Sequence, residues 1–302
     1  MPIEFDDKSI DISGVDDRRG GGMGGGGMAI GGGAGILGLI VYLLYALLGG
    51  GGSAPVVPVN SAPQAGASAE SADQLKARCS ADGALDTYTD CRLIKVYNIA
   101  DGVWKAEFDR RGIEYSSPRF VFFESQTQTG CGPASAEVGP FYCPADREIY
   151  FELGFLDVLQ QKFGASGQFA QAYIAAHEFG HHLQTLLGIE PQVRQIQQRS
   201  PGRANEFSVA MELQADCFAG VWAKKADQSA SGINLTEANI KEALNAAGAV
   251  GDDRIQAKTQ GRVDPEGFTH GSAAQRQQWF ETGYTSADID SCNTFQFYKL
   301  TK

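Results

Sequence analysis

The chain has 302 residues, 43% of them hydrophobic and 20% charged, which suits one sizeable globular domain or two small ones. Its net charge of −11 offers no electrostatic footing on a phosphate backbone, so nucleic acid is excluded as a partner. Only four histidines occur, and three of them fall within six residues of one another.

Residues 1–27 are polar and glycine-rich and read as a tail. They are followed by MAIGGGAGILGLIVYLLYALL from Met28 to Leu48, which carries no charge. About 20 apolar residues are enough to cross a bilayer core as a helix, so residues 28–49 are expected to form an uncleaved transmembrane helix rather than a signal peptide. Arg18 and Arg19 lie just before this run, and no Lys or Arg follows it until Lys76. By the positive-inside rule the N-terminus is then cytoplasmic, and the C-terminal body of this single-pass protein is periplasmic or extracellular. Residues 50–72 form a Gly/Pro/Ala/Ser linker without a core-forming pattern.

The body, residues 73–302, holds all six cysteines: Cys79, Cys91, Cys131, Cys143, Cys217 and Cys292. An even set outside the membrane points to disulfides. The short spacings favour Cys79–Cys91 and Cys131–Cys143, leaving Cys217–Cys292; buried thiols are the alternative that a cytoplasmic location would require. Apolar periodicity predicts a helix over 87–111, and aromatic-rich runs predict strands at 119–124 and 148–155, with a Gly/Pro-rich loop at 131–143. Helices are predicted over 166–187, stopped by Gly188, and over 205–227 with Asn205 as N-cap. A further helix opens at Thr236, and another runs from Ser272 to about Thr282 behind a capping box. The fold class expected is α+β: a mostly helical domain with a small sheet, preceded by one transmembrane helix.

The histidine cluster reads AHEFGHHLQ over residues 176–184. On a helix His177 and His181 share one face, so both imidazoles reach one zinc ion. Glu178 is turned about 100° away, beside the metal and near a bound water. A downstream third histidine of the H-x-x-G-x-x-H kind is absent, so the third ligand is sought among carboxylates. In MELQADC, Glu212 and Asp216 are again four apart, among apolar neighbours that argue against a solvated face. Glu212 completes a His₂Glu set, and Asp216 is positioned to accept the second N–H of a bound imidazole. Glu206 is the weaker rival ligand. His182 lies off the ligand face and takes no catalytic role. Gly180 suggests close approach of a strand or substrate, or simply a tolerated defect. His270, the remaining histidine, is structural or stabilises an oxyanion; Arg276 is a candidate to orient acidic groups near the site.

Together these segments resemble the bacterial neutral zinc metallopeptidase family of membrane-anchored proteins. The resemblance rests on Asp16-Asp17-Arg18-Arg19-Gly20, Cys131-Gly132-Pro133-Ala134-Ser135, Gly139-Pro140-Phe141-Tyr142-Cys143-Pro144, HEFGHHLQ, Glu212-Leu213-Gln214-Ala215-Asp216-Cys217, and Thr269-His270-Gly271-Ser272 with Arg276. It covers nearly the whole chain apart from the linker. It implies a zincin-like, gluzincin-type fold, carries His177, Glu178 and His181 over directly, and carries Glu212 by similarity to the E-x-x-A-D element. The expected function is zinc-dependent hydrolysis of peptide bonds in a peptide or protein substrate. One Zn²⁺ per chain is expected, with Glu178 as general base, His270 assisting, and strand 148–155 or 119–124 pairing with the substrate. An unidentified regulatory partner is compatible with this reading. Two rivals stand beside it: a membrane-tethered binding protein with a structural zinc site, and a helical membrane-partner protein in which HEFGH is accidental.

Overall fold

The computed structural model describes residues 2–6, 9–20, 70–229 and 232–300. It is mostly helical with small sheets, an α+β arrangement. Strands β1 (Glu4–Phe5) and β2 (Val15–Asp17) come first. Helices α1 (Ala72–Cys79), α2 (Ala84–Thr87) and the long α3 (Thr89–Arg111) follow. Gly112 adopts φ 66° and ends α3, as left-handed C-cap glycines do.

A strand-rich stretch comes next: β3 (Arg119–Phe123), β4 (Gln126–Thr129), β5 (Gly132–Ser135), β6 (Phe141–Cys143) and β7 (Glu148–Glu152). The segment predicted as a loop between Cys131 and Cys143 therefore contributes β5, which closes a hairpin on β4, and β6. The main sheet has the order β2-β3-β7-β6, with β2, β3 and β7 parallel and β6 antiparallel to β7. Strand alternation sends Phe120 and Phe122 into the main core and Val121 and Phe123 into a second apolar cluster with Phe141 and Tyr150. β3 and β7 are paired on both sides. The expectation that 119–124 or 148–155 offers an edge to a substrate is thus corrected: among the described residues the edge on the β7 side is β6.

The remainder is helical: α4 (Gly154–Val158), α5 (Gln168–Leu186), α6 (Ile189–Arg199) and α7 (Ala204–Asp227). After the short β8 (Ile233–Asn234) come α8 (Glu237–Ala249), α9 (Asp252–Gln260), α10 (Ala273–Ser286) and α11 (Thr294–Phe297). Thr236 and Ser272 form capping boxes that fix where α8 and α10 begin. Asn205 does not cap α7: it lies inside the helix, and its side-chain amide donates to the Glu266 carbonyl at 3.2 Å. α5 and α7 are buried around most of their circumference, as helices in the middle of a core must be. The six cysteines form the disulfides Cys79–Cys91, Cys131–Cys143 and Cys217–Cys292.

The N-terminal residues belong to the same folded unit as the body. β2 is hydrogen-bonded to β3, β1 pairs with β8, and Ile3, Phe5 and Ile10 lie in the main core. Arg19 bonds Asp17 and Asp90, and Arg78 also bonds Asp90, at 2.7 Å. Paired strands lie about 5 Å apart, so β2 and β3 cannot sit on opposite sides of a bilayer core about 30 Å thick. The single-pass localisation, with a cytoplasmic N-terminus and a periplasmic or extracellular catalytic domain, is therefore overturned. Among the described residues no helix is long and apolar enough to cross a membrane. The expected span at 28–49 and the linker at 50–72 lie outside the described residues, save for 70–72.

Burial pushes the Asp90 carboxyl up, but hydrogen bonds from Arg78 and Arg19 outweigh it and hold the pKa at about 2, below its ordinary 3.8. A depressed carboxylate stabilises the fold above its unfolded pKa and loses that contribution as pH falls through the folded one. Asp90→Asn should cost about 2 kcal/mol in urea unfolding at neutral pH. The gap to wild type should close between about pH 4 and pH 2; an equal gap at pH 2 would show that charge is not what the substitution removes.

Candidate metal centre

Three helices and one loop build the site. α5 contributes Tyr173, His177 and His181, which recur every turn along one side, and Glu178, one residue after His177. α7 contributes Glu212 and Asp216, again one turn apart. α10 contributes Arg276, and the loop ahead of α10 contributes His270.

α5 and α7 approach closely because Gly180 faces Ala215. A Cβ at position 180 would sit 2.9 Å from the Ala215 Cα. The close approach inferred from this glycine is thus to a neighbouring helix, and not to a strand or substrate. Gly220 and Gly283 do the same for α7 and α10: a Cβ at either would meet the backbone of the other helix. Without these three glycines the side chains of the site would be held farther apart.

His177 Nε2 lies 3.2 Å from Glu212 Oε2, and His181 Nε2 lies 3.5 Å from Glu212 Oε1. One donor atom from each of His177, His181 and Glu212 falls within 4.8 Å of the others, a cluster that could hold a metal ion. Both Nδ1 atoms face other partners: His177 Nδ1 is 2.8 Å from Asp216 Oδ1, and His181 Nδ1 is 2.9 Å from Gln184 Oε1. The Nε2 atoms are left to face the cluster. Two imidazoles and a carboxylate are a donor set that fits zinc. Glu206, the rival ligand, is half exposed and paired with Arg203, outside this cluster.

Asp216 has no solvent exposure. It takes two hydrogen bonds from Arg276, Nε to Oδ2 at 2.8 Å and Nη2 to Oδ1 at 2.9 Å, besides those from His177 and the Tyr173 hydroxyl. Burial raises the Asp216 pKa, but Arg276 and His177 overcome this and hold it below the ordinary carboxylate range. Burial also opposes protonation of His177, yet Asp216 and Glu212 raise its pKa to about 10 in the metal-free site. Glu212 is correspondingly depressed, with burial opposed by His181 and His177.

Glu178 is buried beside these groups, and burial pushes its pKa up to about 8. It borders a cavity of about 100 Å³ that also touches His177, Glu212, His270 and Arg276. The remaining wall is largely apolar, including Val138, Phe155, Leu159, Phe163, Ile174 and Val250. His270 Nδ1 is 3.1 Å from Asp252 Oδ1, and Asp252 Oδ2 accepts the backbone N–H groups of Thr269, His270 and Gly271 at 2.6, 2.6 and 3.0 Å. Burial disfavours charge on His270, but Asp252 and Glu212 raise its pKa. His182 turns away from the cluster and bonds the Ser116 carbonyl at 2.7 Å.

Sequence reasoning missed Tyr173, although its position one turn before His177 was a usable signal. It also missed Asp252, which no local spacing connects to His270, and passed over Gln184 and Gln214.

A family model described as "Putative neutral zinc metallopeptidase" matches residues 7–295. The uncharacterized protein YpfJ of Escherichia coli (strain K12) is 50% identical over 196 residues, covering 65% of this chain and 67% of its own length. The uncharacterized protein Rv2575 of Mycobacterium tuberculosis (strain H37Rv) is 47% identical over 231 residues, covering 74% of this chain and 75% of its own. No solved structure matches the chain.

Gly180→Ala tests the helix contact on which the cluster depends. Alanine gains about 1 kcal/mol of helix propensity, but overpacking against the Ala215 backbone costs about 1–3 kcal/mol. Urea unfolding should show a net loss of stability; an unchanged or higher midpoint would mean that α7 yields freely at this point.

Proposed function

Because the chain belongs to the neutral zinc metallopeptidase family, we propose that it hydrolyses peptide bonds with a zinc ion held by His177, His181 and Glu212. The observation that supports this most directly is the convergence of the two Nε2 atoms and the Glu212 carboxylate beside the buried Glu178. Bound there, zinc supplies Lewis acidity, polarising the scissile carbonyl and bringing the pKa of a bound water down to about 7.

Glu178 acts as general base: it accepts the proton of the attacking water and returns it to the leaving amine. Its apolar surroundings suit this, since a carboxylate whose pKa lies near neutrality both takes and gives a proton readily. Asp216 accepts a hydrogen bond from His177 Nδ1–H and keeps that ring in the tautomer whose Nε2 lone pair faces the metal. Arg276 balances the Asp216 charge. His270, whose protonated form Asp252 favours, is placed to donate from Nε2 to the oxygen on which negative charge develops.

The cavity also suggests what is cut. Its aliphatic and aromatic wall suits an apolar side chain next to the scissile bond, and its volume of about 100 Å³ suits an aliphatic one. The adjoining edge strand β6 is suited to pairing with an extended peptide. The rival reading, a structural zinc site, calls for a fourth protein ligand. Among the described residues the cluster has three members, and Cys217 is occupied in a disulfide.

The test is to measure zinc content and digest a mixed peptide library with the full chain, Glu178→Gln and Glu212→Ala in parallel. Wild type should bind zinc and cut, with a preference for aliphatic residues. Glu178→Gln should keep the metal and lose about 10²–10⁴-fold in rate, the usual worth of a general base; undiminished turnover would remove Glu178 from that role. Glu212→Ala should lose zinc, and unchanged metal content would strike Glu212 from the ligand set.

A further inference from the structure

Two glutamines lie in the segments that carry the metal centre, and the mechanism above uses neither. Gln184 ends the HEFGHHLQ run, and Gln214 sits between Glu212 and Asp216. Gln184 is fully buried, and Gln214 is 6% exposed. Buried amides hold their place only when their donors and acceptors are matched, so their partners are informative.

Gln184 Oε1 faces His181 Nδ1 at 2.9 Å. Its Nε2 donates to the Met211 carbonyl at 2.7 Å and to Gln214 Oε1 at 3.1 Å. Gln214 Nε2 in turn donates to the Cys292 carbonyl at 2.9 Å. A backbone carbonyl only accepts hydrogen bonds, so the Met211 and Cys292 oxygens fix the direction of both amides. Each must turn its NH₂ toward a carbonyl and its oxygen the other way. The atom presented to His181 is therefore an acceptor. His181 must carry its proton on Nδ1 and keep the Nε2 lone pair toward Glu212.

The far end of this chain is itself anchored. Cys292 is bonded to Cys217 of α7, and the Thr294 hydroxyl donates to the Ala210 carbonyl at 2.7 Å. The C-terminal segment is thereby tied to the helix that carries Glu212. The two imidazoles are oriented by different chemistry: His177 by a carboxylate neutralised by Arg276, His181 by an uncharged amide relay.

We propose that Gln184 is a positioning residue that fixes the His181 tautomer for metal binding, with the Met211 carbonyl setting the sense of its amide and Gln214, aligned by the disulfide-held Cys292 carbonyl, supporting it. This rests on the reading of His177, His181 and Glu212 as zinc ligands. The alternative is that Gln184 merely packs α5 against α7.

Gln184→Leu and Gln184→Glu separate the two. Leucine fills similar space without an acceptor. Glutamate restores an acceptor for the Nδ1–H, and in its protonated form can still donate to the Met211 carbonyl. Zinc affinity is measured on the full chain by competition with a chromophoric chelator, alongside thermal unfolding of each variant. ¹⁵N spectra of the histidine side chains report which ring nitrogen of His181 carries the proton. Gln184→Leu should bind zinc about 10–100-fold more weakly than wild type, the usual loss when the partner behind a metal-bound imidazole is removed. Gln184→Glu should bind as wild type does.

A packing role leaves zinc affinity unchanged in a folded Gln184→Leu chain, because leucine fills the same space between α5 and α7. Leucine binding as tightly as wild type, or glutamate binding more weakly than leucine, would overturn the proposal. If Gln184→Leu does not fold, the wild-type spectrum decides: before zinc is added His181 should carry its proton on Nδ1, and an Nε2–H form would overturn the proposal. Wild type that binds no zinc would instead bring down the ligand assignment, and this inference with it.

Discussion

Asp216 is a carboxylate with no contact with solvent, set where three helices cross. A charge in that position is costly unless it is paired and its remaining lone pairs are bonded. Arg276 from α10 supplies the two-pronged pairing, and Tyr173 and His177 from α5 supply further bonds. The carboxylate thus ties α5, α7 and α10 together at one point. Removing either charged partner would leave the other buried and alone, so the pair stabilises this helix arrangement and no other.

That arrangement requires close contact between helix backbones, and glycine alone permits it here. Gly180 lets α5 meet Ala215, while Gly220 and Gly283 let α7 meet α10. Each glycine inside a helix gives up about 1 kcal/mol of propensity relative to alanine. In exchange the His177, His181 and Glu212 donors come within 4.8 Å of one another on rigid elements. His270 reaches the same cavity from a loop, and there the rigidity is supplied differently. The Asp252 carboxylate gathers three consecutive backbone N–H groups and the imidazole, so the loop is held as firmly as a helix end.

The first twenty residues change how the chain is to be pictured. Asp16, Asp17, Arg18 and Arg19 form an edge strand and its anchors, with Arg19 and Arg78 closing on Asp90 beside the Cys79–Cys91 disulfide. Arg18 bonds Glu148 of β7 at 3.0 Å. These charges mark a built contact between the start of the chain and the body, and they do not mark the inner side of a membrane. Reading them as a topology signal misled because the positive-inside rule presumes that flanking charges are free in solvent, whereas here they are used in the fold.

Much of the site was legible in the residues themselves. The i, i+4 spacing of His177 and His181, and of Glu212 and Asp216, is a local property of a helix, and so are the capping boxes at Thr236 and Ser272 and the short-range cysteine pairs. Each depends only on chain geometry over a few residues. What the tertiary structure decided is which faces meet. It brought Glu212 to the imidazoles while Glu206 was left to Arg203, and it set Arg276 on Asp216. It put Ala215 rather than a substrate under Gly180, and it joined Asp252 to His270 and Gln214 to Cys292. It also drew β2 into the sheet and left β6 as the edge on the β7 side. These outcomes follow from packing between segments far apart in sequence, and no periodicity along a single segment encodes them.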